Sequence, residues 1–130
     1  MPHTLWTDPE VFAVGEIDAE DGGGRQRVRL PYAESDRACA EDAMEGFVEL
    51  CVDRRRRLRG IAAVGPRAIE FGAQLLPALG RRDALARIAA TTMPYPSFAE
   101  LPRRAAAAVF EDLVFGPWVR GWVKLRRLWR

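Results

Sequence analysis

The chain has 130 residues, the size of one domain with room for one hydrophobic core. Its 20 Lys and Arg residues nearly balance 18 Asp and Glu residues, and the formal charge of +2 sets it apart from polycations selected for nucleic acid. No run reaches the roughly 18 apolar residues of a membrane span, and the first residues lack the apolar stretch of a signal peptide, so a cytoplasmic location is expected.

Leu5-Trp6-Thr7 and Val11-Phe12-Ala13-Val14 read as short extended pieces flanking Asp8-Pro9, because proline supplies no donor to a strand ladder. Gly15 ends the pair. Residues 16–24 are acidic and then glycine-rich, a surface connection with at most a stub of helix. Residues 25–30 alternate as a strand, with Val28 and Leu30 on the face opposite Arg27 and Arg29, and Pro31 closes it. Residues 34–41 suit a short helix. Residues 46–53 and 58–65 are strand-like runs joined by Arg54-Arg55-Arg56-Arg57, hence a hairpin. Together these pieces predict one antiparallel sheet.

After Pro66 the apolar pattern takes a helical period. Residues 68–79 carry Ile69, Gly72, Leu75, Leu76 and Leu79 on one side, with a bend at Pro77 and a stop at Gly80. Residues 82–90 form a second, alanine-rich helix. Met93-Pro94-Tyr95-Pro96 is non-helical, since each residue before a proline is pushed toward extended backbone. Ser97 and Glu100 have the spacing of a capping box, and Pro102 implies either a bent first turn or a regular helix that begins nearer Arg103. The fold class is therefore α+β, an antiparallel β-sheet with helices packed on one side.

Residues 1–112 are expected to form this domain and residues 113–130 a basic amphipathic C-terminal helix. Pro117 opens it; Trp118, Trp122, Leu125 and Trp129 form one stripe, and Arg120, Lys124 and Arg127 another. That pattern in residues 117–130 suits peripheral membrane contact, and it equally suits a helix packed on the rest of a larger enzyme.

Self-sufficient chemistry fails on inventory. His3 is the only histidine and lies in the terminus, away from any nucleophile system. Cys39 and Cys51 fit neither a Cys-x-x-Cys redox pair nor half a zinc site, and read as reduced, packed thiols. Gly22-Gly23-Gly24 precedes Arg25-Gln26-Arg27 and cannot complete Gly-x-Gly-x-x-Gly, so it reads as a turn. The four consecutive arginines read as a solvated hairpin tip, without the interleaved aromatics of base recognition. No metal site and no cofactor site is legible.

Several ordered segments carry a resemblance. They are Thr7-Asp8-Pro9-Glu10-Val11-Phe12-Ala13-Val14-Gly15, Leu30-Pro31-Tyr32-Ala33-Glu34-Ser35-Asp36-Arg37-Ala38, Glu45-Gly46-Phe47-Val48-Glu49-Leu50-Cys51-Val52-Asp53 and Leu58-Arg59-Gly60-Ile61-Ala62-Ala63-Val64-Gly65-Pro66. Ala68 and Glu70 follow at a helix start, and then Tyr95-Pro96-Ser97-Phe98-Ala99-Glu100. In this order they resemble the C-terminal dimerisation domain of FAD-dependent pyridine nucleotide-disulfide oxidoreductases, the superfamily of lipoamide dehydrogenase, glutathione reductase and mercuric reductase. The likeness runs over residues 3–110. Its departures are a short glycine-rich connection before Pro31, Arg59 where an apolar residue is common, and arginines at the hairpin tip without the usual glycine.

The resemblance implies a homodimer whose FAD- and NAD(P)-binding domains lie elsewhere in the complete enzyme, with FAD and NAD(P)H as its cofactors and none held by this chain. It also implies that Tyr95 and Glu100 act in trans, in the family's His-Pro-Thr-x-x-Glu segment, at the partner's redox centre. Tyr95 replaces the proton-transferring histidine. A histidine titrates near pH 6.5 and a tyrosine near pH 10, so thiol-disulfide acid–base catalysis is disfavoured. Tyrosine here is similar to the mercuric reductase-like branch, although the chain ends Leu128-Trp129-Arg130 without the cysteine pair of those enzymes. The competing readings are Tyr95 as a turn aromatic packed on the helix behind it, Glu100 as the capping partner of Ser97, and the whole chain as a stand-alone, non-enzymatic interaction protein.

Overall fold

A computed structural model describes residues 1–17 and 24–111. The expected helix over 113–130, with its tryptophan stripe and membrane contact, and Gly22 and Gly23 of the glycine turn lie outside the described residues.

Strands β1 (His3–Leu5), β2 (Val11–Gly15), β3 (Arg25–Pro31), β4 (Phe47–Asp53) and β5 (Leu58–Val64) form one sheet in the order β1-β2-β5-β4-β3. Every neighbouring pair is antiparallel. The alternation read from the sequence fixes the register. Val14 lies opposite Ile61, Ile61 opposite Leu50 and Leu50 opposite Val28, while Phe12, Ala63, Val48 and Leu30 make a parallel row one step along. A one-residue slip would carry these rows to the other face.

Helices α1 (Asp36–Ala40), α2 (Ala68–Leu75), α3 (Ala84–Ala90) and α4 (Glu100–Ala108) complete the domain. The two sheet rows share a core with Phe71 and Leu75 of α2, Leu85 of α3, and Leu101, Ala105 and Ala106 of α4. The opposite sheet face carries charge: Arg29 donates to Glu49 at 2.8 Å and lies 4.0 Å over the Phe47 ring. The antiparallel sheet with helices on one side is thus as expected. Arg59, unexpected beside apolar neighbours, pairs with Glu16 at 2.8 Å. Gly15 is required where it stands, because its φ is 78° and a Cβ there would lie 2.2 Å from the Arg59 carbonyl oxygen.

The helical expectations need four corrections. Residues 34–41 are not one helix: a 3-10 turn, Tyr32–Glu34, precedes α1, and Ser35 separates them, its Oγ accepting from the Ala38 amide at 3.4 Å. Burial of the Tyr32 ring explains the break, since its hydroxyl reaches the Pro66 carbonyl at 3.0 Å. Helix α2 stops at Leu75 and continues only as the 3-10 turn Leu76–Ala78, because Pro77 lacks the amide that a regular helix would need. Ile69, expected on the buried side of α2, is half-buried, and Phe71 takes the deep position.

The capping box does not form. Ser97 Oγ is buried with no hydrogen-bond partner among the described residues, and the turn closes through backbone bonds from Glu100 to Ser97 and from Leu101 to Phe98. Helix α4 starts at Glu100, earlier than Arg103. Pro102 is accommodated because it falls in the first turn, where an amide has no partner within the helix.

Candidate functional site

The site is built on the segment between α3 and α4. Thr91 ends α3, its amide donating to Ile88 and its hydroxyl to the Arg87 carbonyl at 2.8 Å. Residues 93–96 are non-helical, as expected, with a bend at Tyr95 and Pro96, and the Tyr95–Pro96 peptide is cis. Below this turn the chain is anchored. Phe98 is buried, with its ring centroid 6.4 Å from that of Phe71, which is in turn 5.8 Å from Tyr32. The Arg67 guanidinium lies 4.9 Å over the Phe98 ring. On the other flank Arg104 donates to the Glu34 carbonyl oxygen and reaches its carboxylate at 3.3 Å.

Tyr95 itself is 69 % exposed, so it is not a turn aromatic packed on the helix behind it. Its hydroxyl donates to Asp36 Oδ2 at the start of α1. That hydrogen bond, followed by the Asp36 charge, partial desolvation and the Glu100 charge, pushes the phenol above its usual pKa of 10. At neutral pH the group is a phenol, not a phenolate, and it cannot serve as a general base. Its one proton is engaged by Asp36, which leaves the oxygen lone pairs as its free hydrogen-bonding capacity.

Glu100 is half-buried, and among the described residues its carboxylate makes no hydrogen bond to Tyr95 or to Ser97. The structure thus brings Tyr95 and Glu100 within electrostatic reach of each other, while the contact partner of Tyr95 is Asp36, a residue the sequence reading passed over. Glu10 was also missed. Its carboxylate accepts from the Ile69 amide at 3.2 Å, giving the start of α2 an acceptor that its own left-handed N-cap, Arg67, does not supply.

The remaining candidates sort differently from expectation. Cys51 is buried on β4, where burial raises its thiol pKa, but Cys39 is exposed, so only one of the thiols is packed. The Cys39 S–H donates to the Ala33 carbonyl at 3.4 Å. The arginine tip is only partly solvated. Arg56 donates to the Val109 carbonyl at 2.8 Å and faces the Phe110 ring, and Arg57 pairs with Asp53 at 2.8 Å. A shallow depression of about 300 Å³ beside the tip is lined by Gly24, Arg25, Asp53, Arg54, Arg55 and Arg57. His3 lies exposed on the edge strand β1.

The described residues do not fit a dinucleotide. Their strands are all antiparallel neighbours, so they supply no strand–helix–strand crossover whose first turn could hold a pyrophosphate on a helix N-terminus. Gly24 leads into strand β3 and not into a helix.

Comparison with known proteins matches residues 1–106 to the dimerisation domain of pyridine nucleotide-disulphide oxidoreductases. A dihydrolipoyl dehydrogenase from Haloferax volcanii is 34 % identical over 110 residues, covering 82 % of this chain and 23 % of that enzyme. A dihydrolipoamide dehydrogenase from Chaetomium thermophilum is 34 % identical over 118 residues, 88 % of this chain and 23 % of the relative. The crystal structure of LpdA from Mycobacterium tuberculosis superposes with a TM-score of 0.73 at 28 % identity, covering 84 % of this chain and 25 % of that one. The chain therefore spans about a quarter of the length of the relatives it matches.

Proposed function

Because the chain belongs to the pyridine nucleotide-disulphide oxidoreductase dimerisation-domain family, we propose that it serves as the interface domain of a flavin- and NAD(P)H-dependent oxidoreductase. It pairs with a second copy about a two-fold axis and presents Tyr95, with Glu100 behind it, to the redox centre of the partner subunit. Residues 1–112 form the interface domain and residues 113–130 a separate basic segment, with the whole in the cytoplasm. FAD and NAD(P)H are held by other domains of the complete enzyme, since the residues described above offer no dinucleotide site.

The observation that carries this reading is the placement of Tyr95. A large aromatic residue stands 69 % exposed on a turn whose base is locked into the core, an arrangement suited to contact with another surface. Tyrosine in place of histidine favours a mercuric reductase-like parent over an ordinary disulfide reductase, because a phenol kept protonated exchanges no proton with a thiol at neutral pH.

Size-exclusion chromatography with light scattering at tens of micromolar tests the pairing. A mass twice the 14.6 kDa of the chain is expected. A strict monomer over the whole concentration range would count against autonomous dimerisation.

A further inference from the structure

The family motif groups Tyr95 with Glu100, five residues on, yet the hydroxyl is bonded to a residue on a different element. We propose that Asp36 is the positioning residue for Tyr95: by accepting the phenolic hydrogen bond it fixes the ring and turns the tyrosine into a hydrogen-bond acceptor toward whatever it faces. The inference rests on the reading above only in what Tyr95 faces, not in how it is held.

Three observations support it. Asp36 opens α1, and Ser35, almost fully buried, caps that helix through the Ala38 amide, so the carboxylate stands on a fixed base. Arg104 of α4 binds Glu34 just before α1, a second tether between the same two parts of the chain. Among the described residues, Asp36 from α1 and Glu100 from α4 are the charged groups that act on the phenol, and of these Asp36 makes contact. A tyrosine has one O–H to donate, and once Asp36 accepts that hydrogen bond the oxygen offers only lone pairs. Tyr95 then accepts a hydrogen bond from a facing thiol S–H or other donor, and no proton leaves the phenol. Glu100 contributes background charge.

The chain carries a clean test because it has only two tyrosines. Tyr32 is fully buried and burial raises its pKa, whereas Tyr95 stands largely in solvent, so the phenol expected to ionise first on alkaline titration is Tyr95. Tyrosine labelled with 13C at Cζ gives one signal for each residue. In Asp36→Asn the Tyr95 signal is expected to shift already at neutral pH, and its titration midpoint to fall. Glu100→Gln is expected to leave the neutral signal in place and to lower the midpoint less. An unmoved Tyr95 signal in Asp36→Asn, or a larger effect from Glu100→Gln, would overturn the assignment. The unchanged Tyr32 signal reports that the fold is intact, and the neutral-pH comparison stands even if the variants unfold in alkali. A monomeric chain that still shows the Asp36 effect would count against autonomous dimerisation and keep this inference; a dimer without the effect would do the reverse.

Discussion

Gly72→Ala tests how α2 is seated on the sheet. A Cβ at residue 72 would lie 2.2, 2.3 and 2.4 Å from three atoms of the Phe12 ring, whereas carbons in contact settle at about 3.5–4.0 Å. Phe12 is 2 % exposed in the middle of the core, so the ring cannot swing into solvent, and the ring or the helix must give by about 1 Å or more. Overpacking of this kind costs about 1–3 kcal/mol, against a gain of about 1 kcal/mol from replacing a mid-helix glycine by alanine. Contact with three ring atoms at once places the cost at the upper end, and the net expectation is a loss of about 1–2 kcal/mol. Urea denaturation followed by far-UV circular dichroism measures it. Phe12→Leu removes the obstructing ring, so the double variant should lose less than the sum of the two singles, by about 1 kcal/mol. A Gly72→Ala variant as stable as the wild type, or strictly additive losses, would refute the seating described here.

Three further predictions concern the ion pairs and tyrosines. Arg56→Ala removes a charged donor from the Val109 carbonyl at the end of α4 and should cost about 1.5–3 kcal/mol in urea denaturation, with wild-type stability as the contrary result. Because Arg56 has a φ of 58°, Arg56→Gly should recover about 1 kcal/mol of that loss. The Arg59 hydrogen bond holds Glu16 below its unfolded pKa of 4.5; its contribution is fully present above that value and is lost as the pH falls through the lower folded pKa. The stability of the wild type should therefore decline below pH 4.5 more steeply than that of Glu16→Gln, a difference that salt diminishes; identical acid profiles would remove the role assigned to this pair. Tyr32→Phe takes the hydroxyl from the Pro66 carbonyl and should cost about 1 kcal/mol, whereas Tyr95→Phe should stay within about 0.5 kcal/mol of the wild type in thermal melts, and equal losses would contradict the contrast.

The sheet was legible because its signal is local and periodic. Val28 and Leu30 alternate with Arg27 and Arg29 on one strand, and a matching alternation in residues 47–53 leaves one register that buries both sets. What spacing alone misjudged was decided by contacts far along the chain. Ser97 and Glu100 satisfy the pattern of a capping box, but the buried Phe98 between them sets the turn, and backbone bonds replace the cap. Phe71 displaces Ile69 from the deep position on α2 because that is the side of the helix facing Tyr32 and Phe98, a choice that no period of 3.6 residues reveals. Arg56 looked like one cation in a run of arginines, and its role appears only when α4 ends beside it.

The same reasoning separates the two halves of the candidate site. Tyr95 was legible because neighbouring prolines restrict its backbone and because its place in the motif identifies it; both signals lie within a few residues. Asp36 lies 59 positions away, and what joins them is topology: the connection between β3 and β4 passes close to the turn that leads into α4. An exposed hydroxyl–carboxylate bond of this kind adds little to the stability of a folded domain, since water competes for both groups. Its effect is on chemistry, because it decides whether the phenol offers a proton or a lone pair. The pairing therefore leaves no trace in hydrophobic periodicity and shows instead in the ionisation of a single side chain, which is where an experiment must look for it.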